Sequence, residues 1–180
     1  MSTLLQEHKT LIRFFILCLL GYIGWFLMYT LWIEPFTSLD FWLSSLEAAE
    51  VTSILSTLGF DIQLILEEGY KHAFYLHGQR TIGLANSCNG LVLFPLFSLF
   101  IIATPGLWKF KILYLLVGCV LIYHVNIMRI IALIFIKSTH PESLNFNHKY
   151  TFTIIVYSFI FFLWHIWITY FSKSNPKENA

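Results

Sequence analysis

The sequence predicts an all-α integral membrane protein. Hydrophobic residues make up 57% of its 180 residues and charged residues only 12%, whereas soluble globular domains carry roughly 25% charged residues. The apolar residues also cluster in runs of about 20, the length that crosses a hydrocarbon core about 30 Å thick. The net charge of +1, without a basic stripe in the sequence, argues against a nucleic-acid partner.

About four spanning helices are predicted within one membrane domain, residues 1–172, which is followed by a short cytoplasmic tail, 173–180. Proline and glycine are typical of helix ends, and Glu34-Pro35 and Pro105-Gly106 end the first two spans. The first run is too long for a removable signal peptide, so we expect it to stay as a span. The predicted spans cover residues 11–33, 90–104, 111–136 and 150–171.

Lysine and arginine near the helix ends predict the orientation of the chain. Residues 34–89 hold seven acidic residues but only two basic ones, Lys71 and Arg80, and they are assigned to the outer side. Both termini are then cytoplasmic, and Cys88 and His148 face outward from the inner (cytoplasmic) membrane. The basic residues of the opposite side lie in the two terminal tails and in the loop after the second span: Lys9, Arg13, Lys109, Lys111, Lys173 and Lys177.

Two elements are predicted in the outer segment. An amphipathic helix that lies on or dips into the membrane has Glu47 and Glu50 off its apolar face. Packing and substrate binding would both explain it. Residues 74–84 predict a short β-hairpin that leads into Cys88. The apolar residues that recur at helical spacing in the amphipathic helix are Val51, Ile54, Leu55 and Leu58.

Cys88 lies among small polar residues, where a polar stretch meets an apolar run. A free cysteine is usually buried as a small hydrophobe, so this position indicates reactivity rather than packing. Cys18 and Cys119 fall inside apolar runs, far from the level of Cys88. We therefore expect no disulfide and assign those two cysteines to packing.

Arg129 lies within the third predicted span, and Asn126 shares its helical face. A central arginine costs about 2.5–3.5 kcal/mol even on permissive insertion scales, so it normally faces a protein partner or a water-filled cavity. No acidic residue occurs in any of the four predicted spans, which favours a functional role. Its long side chain can extend outward to the level of Cys88.

Four histidines on the predicted outer side are candidate bases: His72, His77, His140 and His148. His148 is favoured because it lies at the start of the fourth span, at the same boundary as Cys88. His140 is in a connecting loop and is a weaker candidate. A thiolate nucleophile, a histidine that carries the proton and a cation that stabilises an oxyanion suffice for acyl transfer through a thioester.

Roughly residues 70–170 resemble the exosortase/archaeosortase family of membrane transpeptidases. Members carry a cysteine in an Ala-Cys-Ser-Gly-like turn that opens a membrane helix, and residues 85–91, Ala-Asn-Ser-Cys-Asn-Gly-Leu, are similar to it around Cys88. Asn89 stands where the family usually has serine, followed by Gly90. The chain has fewer spans than longer members, and it looks most like the compact exosortase-type proteins of Bacteroidetes.

The order of the other two residues also matches the family. Asn126 and Arg129 fit its Asn-x-x-Arg motif in a later helix, and His148 fits the histidine before the last helix. The resemblance implies that Cys88 is the nucleophile, His148 the acid and base, and Arg129 the oxyanion-stabilising or orienting cation. It implies supporting roles for Asn126, Asn89 and Gly90.

By this resemblance the protein is a cysteine transpeptidase or protease that cleaves a C-terminal sorting signal, made of a short motif, a transmembrane helix and a basic tail. The expected partners are that signal on exported membrane-tethered proteins, a surface acceptor such as a glycan or lipid, and membrane lipid. No cofactor and no metal are expected. Hydrolysis and transpeptidation share the acyl-enzyme, so both stay open.

Three other interpretations are open. A small metal site could use His72, His77 and Cys88, although a spacing of five residues suits neither helical ligand pairs nor common zinc-finger spacing. A non-catalytic assembly protein would explain the aromatic content, but not an arginine beside an outward thiol. A haem or quinone carrier using His124 and His165 has no supporting motif.

Overall fold

The computed structural model describes residues 2–67, 71–85 and 88–172. The described chain is mostly helical, with one small sheet. The predicted tail, 173–180, and two residues of the cysteine motif, Asn86 and Ser87, lie outside the described residues. In chain order the elements are α1 (Ser2–Met28), α2 (Glu34–Phe36), α3 (Leu39–Thr57), β1 (Ile62–Glu67), β2 (Lys71–Leu76), β3 (Gln79–Leu84), α4 (Leu93–Ala103), α5 (Trp108–Thr139), α6 (Leu144–Phe146) and α7 (Phe152–Ile166).

Within the part of the chain that the structure describes, three helical runs are long and apolar enough to cross a membrane. They correspond to the first, third and fourth predicted spans. The first run continues through Pro35 instead of ending before it. A wider π-helical turn, Tyr29–Ile33, precedes this proline at the point where a regular α-helix would lose a hydrogen bond. The three runs are Leu11–Phe36, Trp108–Thr139 and Pro141–Phe171.

The second predicted span, 90–104, is a shorter apolar helix. The 11 residues of α4 rise about 17 Å, roughly half the thickness of a hydrocarbon core. The helix begins three residues later than predicted because residues 88–92 form a series of turns and bends. Those turns carry Cys88, so the shortening of α4 and the conformation of the cysteine segment are linked.

The strands β1, β2 and β3 form an antiparallel sheet in that order. His77 and Gly78 connect β2 to β3 with φ angles of 51° and 74°, and two positive angles are typical of a type I′ turn. The predicted hairpin is therefore present, with Gln79 inside β3 rather than in the turn. β1 was not predicted.

Two apolar clusters hold these elements together. The first joins α3 and the sheet to the C-terminal half of α5. The second joins α4, the N-terminal half of α5 and α7. Cys88 packs against the first cluster just before the chain enters α4. Cys88 therefore lies near the junction of the two clusters. The largest fully buried side chains of the clusters include Phe74, Leu55 and Ile134 in the first, and Trp167, Phe97 and Ile101 in the second.

The buried face of α3 differs from the predicted one. Val51 and Leu55 are fully buried, as predicted, but Leu58 is 67% exposed and Glu47 is 0% exposed. Glu47 precedes Val51 by four residues and so lies on the same face of the helix. The prediction that Glu47 points off the apolar face was wrong. The observed orientation of Glu47 places a buried carboxyl group beside α5.

Candidate active site

Cys88, Arg129 and His148 meet at one place in the structure. The Sγ atom of Cys88 lies 3.7 Å from Nε2 of His148, and Nη2 of Arg129 lies 3.2 Å from the same nitrogen. Cys88 and Arg129 are half-buried, whereas His148 is exposed. All three cysteines are free, with Cys18 in α1 and Cys119 in α5. One imidazole nitrogen is therefore within reach of both a thiol and a guanidinium.

The described residues of the cysteine segment, 88–92, form turns and bends just before α4. The backbone N–H of Cys88 donates to the carbonyl of Ala85 at 2.8 Å. Gly90 has a φ of +71°, a left-handed conformation that glycine adopts without a steric penalty. A Cβ atom at Gly90 would lie 3.4 Å from Cγ of Asn126. Gly90 thus allows both the turn and its close approach to α5.

Asn89 ties this turn to the start of α3. Its side chain is buried, and its Nδ2 donates to the carbonyl of Asp40 at 3.1 Å and to the Asp40 carboxylate at 3.0 Å. Its Oδ1 accepts the backbone N–H of Leu91 at 3.0 Å. The Asp40 carboxylate also accepts the hydroxyl of Tyr29 at 2.8 Å. Asp40 and Tyr29 were not singled out from the sequence, since no spacing relates them to Cys88.

Asn126 connects the site to the buried face of α3. The residue is 1% exposed, and its Nδ2 lies 2.8 Å from Oε1 of Glu47 and 3.2 Å from the carbonyl of Cys88. Its Oδ1 accepts a hydrogen bond from Nη1 of Arg129 at 3.3 Å. One amide group therefore fixes the cysteine backbone and the guanidinium at the same time.

Glu47 is a buried acid that supports the site. Burial raises the pKa of its carboxyl group to about 8, while the hydrogen bond from Asn126 and the charge of Arg129 act to lower it. Its second oxygen, Oε2, has no hydrogen-bond partner within the described chain. Near neutral pH this carboxyl group is mostly protonated, because removing its charge avoids the cost of burying an anion. The sequence did indicate the burial of Glu47, since Glu47, Val51 and Leu55 follow the i, i+4, i+8 spacing of one helix face.

His148 lies inside a helical run rather than at its first residue. The run begins with a 3₁₀ turn at Pro141 and reaches His148 about two turns later, in a π-helical turn, Asn147–Thr151. π-Helical turns are rare and occur frequently at functional sites. The prediction put His148 at the start of the last span. In the structure the helical run begins earlier than the predicted span, 150–171, and starts at Pro141.

The three residues open into a cleft of about 320 Å³. One wall is formed by β3 along much of its length. The other walls come from α5, α6 and the π-helical turn that holds His148. Besides the three site residues, the cleft is lined by Arg80, Thr81, Ile82, Gly83, Leu84, Ile130, Leu133, Lys137, Leu144 and Asn145.

The other candidate histidines lie elsewhere. His72 is buried, with Nε2 2.9 Å from the hydroxyl of Ser45, and His77 is exposed in the β2–β3 turn. His140 ends α5. The described ranges contain no group of three or more histidine, cysteine or acidic residues that could hold a metal ion, so His72, His77 and Cys88 do not come together.

The histidines of the carrier interpretation do not face each other in a shared site. His124 lies with Nδ1 2.8 Å from the carbonyl of Val120 and Nε2 3.7 Å from a carboxylate oxygen of Glu50. His165 is exposed near the end of α7. The residues that the structure does bring together are the cysteine, arginine and histidine of the cleft.

Comparison with protein families gives a match that covers most of the chain. The family described as Transmembrane exosortase (Exosortase_EpsH) matches residues 9–168. Neither the curated proteins nor the solved structures give a significant match. The matched range includes the cleft and nearly all of the three apolar helical runs. The chain is therefore a multi-pass membrane protein that belongs to the transmembrane exosortase family.

Proposed function

We propose that this exosortase is a cysteine transpeptidase or protease that cleaves a C-terminal sorting signal of exported proteins through an acyl-enzyme on Cys88. The observation that carries the proposal is the contact of one nitrogen, Nε2 of His148, with both the Cys88 thiol and the Arg129 guanidinium. A base within reach of the thiol and a fixed cation next to it are what thioester chemistry requires. The cleft provides room for a peptide beside them.

In the first half-reaction, Nε2 of His148 accepts the thiol proton as the sulfur of Cys88 attacks the scissile carbonyl carbon. A C–S bond forms and the carbonyl π electrons move onto oxygen, where Arg129 stabilises the negative charge. Collapse of this intermediate breaks the peptide C–N bond. The leaving amine takes the proton from His148, and the upstream part of the substrate stays on Cys88 as a thioester.

In the second half-reaction, an amine or hydroxyl group of a surface acceptor, or a water molecule, attacks the thioester. His148 removes the proton of this nucleophile, and the C–S bond breaks to regenerate the Cys88 thiol. An acceptor with a nucleophilic group on a glycan or lipid gives transpeptidation or a related transfer. Water gives hydrolysis by the same route, so the two outcomes differ only in the second nucleophile.

The proposed location of the site is the outer face of the cytoplasmic membrane, with both termini inside. The distribution of basic residues supports this orientation, and the length of α5 supports a position of the site at a membrane boundary. Twenty residues separate the exposed Lys109 from Arg129, or about 30 Å of helix at 1.5 Å per residue. If Lys109 lies at the inner surface, Arg129 lies at the outer boundary of the hydrocarbon core, where its charge costs little.

The test is to replace Cys88 in cells that contain an exported protein ending in a transmembrane helix and a basic tail. We expect Cys88→Ala to abolish cleavage of that protein and to leave the uncleaved form in the membrane. Cys119→Ala is the matched control, since Cys119 is a free thiol of α5 outside the cleft, and it should leave cleavage unchanged. Continued cleavage in the Cys88→Ala strain would rule out the mechanism and favour a non-catalytic assembly role.

A further inference from the structure

We propose that the substrate segment next to the scissile bond binds as an added strand along the free edge of β3, antiparallel or parallel to it, with its scissile carbonyl delivered to Cys88. This inference rests on the proposed function and specifies how the same cleft holds its substrate. The occupant is an extended peptide segment without basic residues. Main-chain hydrogen bonds, rather than a pocket for one side chain, would supply much of its affinity.

The first observation is that consecutive residues of β3 line the cleft. Residues 80–84 all contribute to its surface. Side chains of a strand alternate between the two faces of a sheet, so a cleft on one face would be lined by every second residue. Five residues in a row line the cleft, and Gly83 among them has no side chain, so the backbone of β3 and not only the side chains of one face borders the cleft.

The second observation is that this edge is unpaired. β3 is the last strand of the sheet, with β2 on one side only. Outside the sheet ladders, the backbone hydrogen bonds of the described chain include none made by residues 79–84. An exposed strand edge with free N–H and C=O groups is a template for another strand. In this chain the template borders the cleft that contains the cysteine.

The register of the sheet identifies the free groups. In a two-residue hairpin the pair that flanks the turn, Leu76 and Gln79, is a hydrogen-bonded pair. β3 has one extra residue in a bulge opposite Phe74, so the alternation of bonded and non-bonded positions is counted along β2. On β3, the partners of Tyr75 and Ala73 therefore direct their N–H and C=O groups away from β2. These residues are Arg80 and Gly83, and both line the cleft.

The charges of the cleft select which part of a sorting signal can lie there. Arg80, Arg129 and Lys137 line it, and none of the acidic residues that the structure describes does. Arg80 is paired with Glu67, whereas Lys137 has no ion pair within the described part of the chain. A basic segment would be repelled by this lining. The strand that fits is therefore the segment ahead of the transmembrane helix and not the basic tail.

The geometry also leads from β3 to the nucleophile. β3 ends at Leu84, four positions before Cys88. At about 3.3 Å per residue, its six residues can pair with about 20 Å of extended peptide. A segment that pairs with β3 reaches the sulfur with its backbone already extended. Its scissile carbonyl can then be presented without further ordering of the chain.

The first experiment removes one free donor from each edge of the sheet. Gly83→Pro deletes an outward N–H of β3, and proline is tolerated at an edge strand where the N–H faces away from the ladder. Leu66→Pro is the matched control, because Leu66 pairs with His72 and by the same alternation points its N–H off the opposite edge. We expect Gly83→Pro to slow cleavage about tenfold, as the loss of a hydrogen bond would, and Leu66→Pro to change it less than twofold.

A crosslinking experiment keeps the proposal testable if Gly83→Pro fails to fold. The photoreactive residue 4-benzoylphenylalanine is placed at position 83 of the Cys88→Ala protein. Membranes of that strain contain the uncleaved substrate protein, which the photoreactive residue can capture. The first atom of a side chain at Gly83 meets only the far end of the flexible Arg80 side chain, at 3.2 Å. The control places the same group at the exposed Gln63 of β1. We expect capture of the uncleaved protein from position 83 and not from position 63.

The results separate this inference from the proposed function. Equal effects of the two proline variants, equal capture from the two positions or no capture from position 83 would overturn strand addition, even where Cys88→Ala blocks cleavage. Cleavage that continues in the Cys88→Ala strain would overturn the proposed function itself, because no uncleaved protein would then accumulate.

Discussion

Nδ2 of Asn126 donates to Oε1 of Glu47 at 2.8 Å, although 79 residues separate the two in the chain. This contact joins α3 to the long helix α5 directly behind the cysteine. The same amide group also contacts the Cys88 carbonyl and Arg129. The hydrogen bonds of Asn126 thus link a buried acid on one side to the candidate nucleophile and cation on the other.

Asn126→Ala should impair cleavage without removing any of the three reacting groups. The change breaks the contacts with the Cys88 carbonyl and Arg129 and leaves the buried Glu47 carboxyl group without its partner. Hydrogen bonds to charged groups contribute about 1.5–3 kcal/mol, so we expect cleavage to slow by about 10- to 100-fold. The control is Thr139→Ala, which removes an exposed side-chain hydrogen bond to the carbonyl of Phe135 at the end of α5. Rates measured at equal protein levels in the membrane test the prediction, and equal rates for the two variants would contradict it.

Gly90→Ala should distort the cysteine turn. The positive φ of Gly90 costs a residue with a Cβ atom about 1–2 kcal/mol, and the added atom meets Asn126 at 3.4 Å. We expect reduced thermal stability in detergent together with slower cleavage. Gly24→Ala in α1 is the matched control, since a Cβ atom there meets nothing within 4 Å and alanine is favoured over glycine in a helix. A Gly90→Ala protein as stable and active as Gly24→Ala would refute this view of the turn.

Glu47→Gln should flatten the pH dependence of stability. The folded protein holds the proton of Glu47 up to a pKa of about 8, whereas an unfolded glutamate loses it near pH 4.3. The stability that this group contributes is fully present below the lower value and is lost as the pH rises toward the higher one, by up to about 1.4 kcal/mol per pH unit. Thermal unfolding of the detergent-purified protein between pH 5 and 8 measures it. Wild type and Glu47→Gln should diverge over this range, and parallel curves would show that Glu47 is already ionised in the folded state.

Much of the site could be predicted from the sequence because its main residues are chemically conspicuous. Cys88 among polar residues at an apolar boundary and Arg129 inside an apolar run are both unusual positions for residues that only pack. His148 followed from the order of the apolar runs. The apolar periodicity also located three long helical runs to within a few residues at most of their ends. These features depend on local sequence, so no knowledge of tertiary contacts was needed.

The parts that could not be predicted depend on contacts between distant segments. The sequence of β1, Ile-Gln-Leu-Ile-Leu-Glu, has no regular alternation of apolar and polar residues, and pairing with β2 decides its conformation. Asp40 contacts Asn89 only because α3 folds back against the cysteine turn. Helical spacing places Glu47 on the apolar face of α3, but its charge led to the prediction that it would be exposed. The amide of Asn126 explains how a protonated carboxyl group is accepted there.

The π-helical turn at Asn147–Thr151 has a consequence for the direction in which His148 points. Such a turn holds one more residue than an α-helical turn, and each residue rotates the following helix by about 100°. The extra residue therefore offsets the direction of His148 by a fixed angle from the face by which α7 packs against its neighbours. An uninterrupted α-helix with the same packing of α7 would point the imidazole of His148 about 100° away from its observed direction toward the sulfur of Cys88.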